Sequence, residues 1–181
     1  NPTNVTACVN GTATMSVVAS GTNLTYQWYK GTSPTGTLVL NGVSVSGATT
    51  QALTINNVSS SDAGNYYVVV TGSCGTATSA SAALTVSTPI SITAQPVGGT
   101  ICSGDSITLS VTASGSNLTY QWYKNGSTVS STTSSIKVYG NAPGNYYVVI
   151  SNSCGVVTSS AVDVVTKTAT AVVTQPASIT V

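Results

Sequence analysis

Four cysteines, Cys8, Cys74, Cys102 and Cys154, carry most of the reactive potential of this 181-residue chain. Thiols in such numbers oxidise to disulfides, and four of them allow three pairings. Each copy of an internal repeat holds one pair, so placement favours Cys8–Cys74 and Cys102–Cys154, each closing a loop of more than fifty residues. Such a loop is worth about 4 kcal/mol on the chain-entropy model. Four buried free thiols are the alternative. Bridges imply an oxidising compartment, so the chain is expected to be extracellular or at a cell surface.

Nothing else is placed for catalysis. The charged residues are Lys30, Lys124, Lys137, Lys167, Asp62, Asp105 and Asp163, and histidine and glutamate are absent. The three aspartates fall at separate structural positions, which leaves no nucleophile–base pair and no general acid–base pair. Metal sites need clustered ligands, and no such spacing occurs. The chain is expected to be no enzyme and to need no cofactor or metal. A net charge of +1 offers no basic footprint for nucleic acid. The apolar runs Tyr66–Val70 and Tyr146–Ile150 fall far short of the ~20 residues that span a bilayer, so no membrane insertion by this segment is expected.

The elements that position these cysteines are legible from repetition. Leu-Thr-Tyr-Gln-Trp-Tyr-Lys occurs at Leu24–Lys30 and again at Leu118–Lys124. A cysteine stands 20 residues before each tryptophan, and Gly-Asn-Tyr-Tyr-Val-Val starts at Gly64 and at Gly144, each followed by Ser-Cys-Gly. Tandem copies of one folded unit follow. Asn1-Pro2, Gln95-Pro96 and Gln175-Pro176 mark three starts, so the chain reads as a stretch of a longer array. Boundaries are expected at 1–88, 89–168 and 169–181.

Gly64 follows Trp28 by 36 positions in the first copy, whereas Gly144 follows Trp122 by 22 in the second. The surplus includes Leu38–Val45 around Asn41-Gly42, which predicts an extra C′–D hairpin with a type I′ turn. Valine and threonine alternate in short runs, such as Thr12–Ala19 and Ile107–Ala113, and no helical stripe appears. The chain is all-β. In the second copy strands are expected at Ile90–Ala94, Ser106–Ala113, Leu118–Lys124, Ser135–Val138, Asn145–Ser151 and Val156–Val165.

Asp62-Ala-Gly-Asn-Tyr66, downstream of Trp28, resembles the Asp-x-Gly-x-Tyr corner of the immunoglobulin superfamily. That resemblance implies two tandem immunoglobulin-like β-sandwiches plus the first strand of a third repeat. It makes Trp28, Tyr66, Trp122 and Tyr146 core residues, with each tyrosine hydroxyl bonded back to the corner backbone. Val68 and Val148 occupy the position of the usual second cysteine, so the crosslink is expected at one end of the sandwich. The combination of Gln-Pro, cysteine, Leu-Thr-Tyr-Gln-Trp, Gly-x-Tyr and Ser-Cys-Gly is similar to Ig-like repeats of very large bacterial surface and secreted proteins, including those exported by the type IX pathway.

Strand alternation sends Gln27, Tyr29 and Tyr67 outward, and Gln121, Tyr123 and Tyr147 in the second copy, which makes a candidate binding face. Asp105-Ser106-Ile107 resembles a bacterial O-glycosylation motif with Ser106 as acceptor. The functional expectation is a structural or adhesive stalk or spacer of a long extracellular bacterial protein. A self-assembling filament subunit and a glycan-binding module are the alternatives. The partners expected are neighbouring repeats of the same chain, with copies of itself in a fibre or a surface polysaccharide as further candidates.

Overall fold

A computed structural model describes residues 1–168, 170 and 171. The start of a third repeat, expected at 169–181, lies outside the described residues apart from Thr170 and Ala171. The described residues divide into two compact units: Asn1–Ile90 with Gly115–Leu118 and Asn152–Gly155, and Ser91–Ser114 with Thr119–Ser151 and 156–168.

The first sandwich is built from nine strands: β1 (Val5–Cys8), β2 (Thr12–Ser16), β3 (Thr25–Lys30), β4 (Thr37–Leu38), β5 (Val45–Ser46), β6 (Ala52–Asn56), β7 (Gly64–Gly72), β8 (Gly75–Thr78) and β9 (Ala82–Ser87). One sheet runs β1-β9-β7-β3-β4 with β8 beside β7, and the other runs β2-β6-β5. Alternation decides which side chains enter the core between them. Ala13 and Met15 point in from β2, Leu53 and Ile55 from β6, and Tyr66, Val68 and Val70 from β7. Trp28 of β3 is fully buried among them, and its indole N–H donates to Thr50 O at 2.9 Å. The hydroxyl of Tyr66 donates to Asp62 O, 2.8 Å away at the turn that precedes its strand.

The second sandwich repeats the design with β10 (Ser91–Ala94), β11 (Gly99–Cys102), β12 (Ser106–Ser110), β13 (Thr112–Ser114), β14 (Thr119–Lys124), β15 (Ser127–Thr128), β16 (Ser135–Tyr139), β17 (Gly144–Asn152), β18 (Gly155–Thr158) and β19 (Val162–Lys167). Its large sheet runs β11-β19-β17-β14-β15, with β12 paired to β16 and β10 to β13. Trp122 is fully buried and donates to Thr133 O at 2.9 Å, and Tyr146 donates to Ala142 O at 2.7 Å.

Four expectations change. The expected strand Val156–Val165 is two strands, β18 and β19, because the chain runs back along β17 as β18 and then pairs with both β11 and β17 as β19. The expected strand Ser106–Ala113 is two strands, because the chain leaves β16 at Val111 to pair with β10. The short strands β1 and β11, which run parallel to β9 and β19, had no place in the sequence reading. Residues 38–45 form no hairpin: β4 pairs with β3 and β5 with β6, so this segment crosses from one sheet to the other. Asn41 and Gly42 lack positive φ, and the Asn41 side chain accepts the Ala48 N–H at 2.9 Å. That capture of the side-chain oxygen leads the chain across in place of a tight turn.

Candidate functional site

Where each cysteine sits follows from strand direction. β1 is parallel to β9, with Cys8 level with Ser87. Strand β7 pairs antiparallel with β9, Gly64 opposite Leu84, and turns into β8 at Gly72 opposite Gly75. Cys74 therefore lies at the Gly72 end of β7 and Cys8 beyond the Gly64 end. The length of β7 alone is about 26 Å at the rise of a strand, whereas bridged cysteines need Cα atoms within about 7 Å. The same registers hold in the second sandwich, where Cys102 is level with Lys167 and Gly144 is opposite Val164.

A bridge within one repeat is thus closed to both pairs, and the expected Cys8–Cys74 and Cys102–Cys154 are corrected. The disulfide is Cys8–Cys154, with Cα atoms 5.6 Å apart, and Cys74 and Cys102 are free and exposed. Within the first unit, polar groups close around Cys154. Asn152 accepts the Cys154 N–H at 2.8 Å and donates to Thr88 O at 3.0 Å and Ser116 O at 2.9 Å. The hydroxyl of Ser153 donates to that of Ser87 at 2.9 Å, and Ser87 is itself buried.

The tyrosine face is a different object from the one alternation implies. Tyr67 is only 1% exposed, because the longer loop of the first repeat folds over it and Gly36 N–H donates to its hydroxyl at 3.0 Å. Tyr29, Tyr123 and Tyr147 are half-buried. Tyr29 stacks on Tyr67 with ring centres 5.1 Å apart, and Tyr123 on Tyr147 at 5.0 Å. These are directly opposed cross-strand pairs, the arrangement that stabilises a sheet. The amide of Gln27 donates to Trp28 O and Val39 O, and that of Gln121 to Trp122 O and Val129 O. Those donors tie strand β3 or β14 to the segment beside it. The signal for a covered Tyr67 was the surplus length between Lys30 and Thr37, which alternation ignores.

Ser106 is exposed on β12, opposite Tyr139. A concavity of about 670 Å³ runs along Val17–Gly21 and Cys74–Ser79. In the second sandwich the matching edge, β13, is covered by β10, so this hollow has the form of a strand slot. No group of three or more His, Cys, Asp or Glu among the described residues could hold a metal ion. No helix among them is long and apolar enough to cross a membrane.

Charges concentrate at the corner before β7. Asp62 accepts from the Ser59 N–H at 2.8 Å and the Ser59 hydroxyl at 2.7 Å, and Lys30 donates to Ser61 O. Burial opposes ionisation of Asp62, but the Ser59 bonds and the Lys30 charge outweigh it and hold the carboxyl below its ordinary range. Burial first, and then the Asp62 charge, pushes the Tyr66 hydroxyl up to about 12, and burial raises Tyr146. A folded value above the unfolded one, about 10, stabilises the fold fully below that pH and is lost as pH rises through about 12. Comparing the chain with Tyr66→Phe by phenolate absorbance on alkaline titration, we expect the Tyr66 contribution to appear at about pH 12. A Tyr66 contribution at about pH 10, with the fold retained, would contradict this assignment.

Among family models, the Immunoglobulin I-set domain matches residues 1–86 and the Ig-like domain CHU_C associated matches residues 88–170. No curated protein matches the chain. Among solved structures, the chain is similar to Drosophila OTK, extracellular domains 3–5, at 24% identity and a TM-score of 0.70, covering 92% of this chain and 60% of that one. The I-band fragment I67–I69 from titin is similar at 17% identity and a TM-score of 0.64, over 92% of this chain and 64% of that one. A Dscam structure matches at 21% identity and a TM-score of 0.59, over 91% of this chain and 44% of that one. The chain thus spans less than two thirds of each of these structures, and at such identities they show the fold alone: an all-β, immunoglobulin-like sandwich, present twice.

Proposed function

We propose that these two immunoglobulin-like domains serve as a structural or adhesive stalk, a spacer segment of a long extracellular bacterial protein. The observation that carries this reading is the reuse of one large sheet in both sandwiches, down to the registers that place Cys8 level with Ser87 and Cys102 level with Lys167. Groups that would greet a ligand are occupied internally: the Gln27 and Gln121 amides hold backbone, and the tyrosines stack on each other. A disulfide supports the extracellular part of the reading. The bacterial part draws support from the repeated Leu-Thr-Tyr-Gln-Trp and Ser-Cys-Gly pattern and from the match to the Ig-like domain CHU_C associated.

Sandwiches of this kind host many activities, so the spacer role rests on what this chain's own surface offers. Electron microscopy of the full-length protein that carries these repeats tests it. We expect an extended string of beads between the cell surface and a distal domain. A compact particle with the repeats packed around one centre would overturn the proposal.

A further inference from the structure

We propose that the Cys8–Cys154 bridge carries tension along the chain past the folded sandwiches, so that a pulled chain lengthens only by its two short arms. This deepens the spacer reading and rests on it, since a spacer between a surface and a distal domain is pulled from both ends.

The covalent path decides what tension can draw out. Cys8 and Cys154 are 146 residues apart in sequence, yet their Cα atoms are 5.6 Å apart. The chain between them is a closed loop that tension on the rest of the chain cannot straighten. Strands β2 to β17 lie inside that loop, together with the buried Trp28 and Trp122 and the connection at Thr88-Pro89. Among the described residues, the strands outside it are β1, β18 and β19.

Register puts the bridge where the chain leaves the first sandwich. β1 runs parallel to β9, and Cys8 stands level with Ser87, the last residue of β9. Just after Cys8, Val9 N–H donates to Ser87 O at 2.9 Å. Without the bridge, tension on Asn1 must pass from β1 to β9 through four residues in register, Val5–Cys8 against Leu84–Ser87. That ladder is loaded in shear, and the domain survives only as long as its unfolding rate allows. With the bridge, Cys8 hands the tension to Cys154 through a covalent bond, and β2 to β17 bear none. Asn152 and Ser153 hold the receiving turn to Thr88, Ser116 and Ser87, so the two ends of the bridge are kept together before any tension arrives.

Single-molecule stretching of the whole chain, held at residues 1 and 181 with its free thiols blocked, tests this against Cys8→Ser. The two arms, residues 1–8 and 154–181, stretch to about 120 Å and the whole chain to about 630 Å at ~3.5 Å per residue, a roughly fivefold difference. We expect the bridged chain to stop at the shorter length, and Cys8→Ser to give out the remaining 500 Å or so over the same range of force. Loss of stability is a separate cause of yielding, and Trp122→Ala isolates it. That variant keeps the bridge, and it should stop at the shorter length although its second sandwich is weakened. A bridged chain that gives out the loop length would overturn the proposal. So would a Cys8→Ser chain that stays folded over the same forces, because its sandwiches would then carry the tension themselves. Microscopy separates the two readings. If the full-length protein is a string of beads while Cys8→Ser holds its length, only the tension path falls; a compact particle removes the spacer reading and this one with it.

Discussion

Trp122→Ala lowers the stability of the second sandwich by about 3–5 kcal/mol, the range for emptying an aromatic site in a packed core. The side chain is completely shielded from solvent, lies between the two sheets and packs where Leu109, Val148 and Ile150 are also fully buried. The variant also strands Thr133 O, which accepts the indole N–H. A small domain has about 5–15 kcal/mol of stability in all, so this loss brings the sandwich close to unfolding. Each repeat has one tryptophan, and Trp28 then reports the first sandwich alone. Chemical denaturation followed by circular dichroism and tryptophan emission should show an early transition by dichroism, with Trp28 emission changing at its original midpoint. Trp122→Phe keeps most of the buried ring and loses the bond to Thr133, so it should cost only about 1–3 kcal/mol. If Trp122→Ala left the dichroism transition unmoved, the core assignment would be wrong.

Cys8→Ser and Cys154→Ser each destabilise the protein by about 2–5 kcal/mol, and by the same amount, because either removes the one bridge. The closed loop is long, with 146 residues of sequence separation, and the entropy released to the unfolded chain grows with that length. Cys74→Ser and Cys102→Ser should leave a monomer's stability within about 0.5 kcal/mol of the original, since both thiols are exposed and unpaired. Urea denaturation with and without reductant checks all four. A bridge inside each repeat would instead make Cys74→Ser as damaging as Cys8→Ser.

Repetition made the fold legible. The alternating runs marked β2 and β12, while the resemblance to the immunoglobulin corner placed β7 and β17 and made Trp28 and Trp122 core. What escaped was direction and cover. The four residues of β1 and β11 are too short to show periodicity, yet their parallel pairing with β9 and β19 carries Cys8 and Cys102 to the opposite end from Cys74 and Cys154. Spacing along the chain brings two cysteines into one repeat but says nothing of which end of the sheet each occupies. Tyr67 went astray for a related reason: period-two alternation gives the face of a residue, while the loop at Gly36 that buries it is tertiary. Asn41-Gly42 fits a tight turn by local preference, and the Asn41 bond to Ala48 overrides that preference.

The central claim is that the crosslink runs from repeat to repeat, and one peptide map tests it most directly. Unreduced protein, with its free thiols blocked, is cleaved after Lys30, Lys124, Lys137 and Lys167 and its fragments are weighed. The expected result is fragment 1–30 joined to fragment 138–167, with fragment 31–124 recovered separately and carrying two blocked thiols. Fragment 1–30 joined to 31–124, and 31–124 in turn to 138–167, would contradict it.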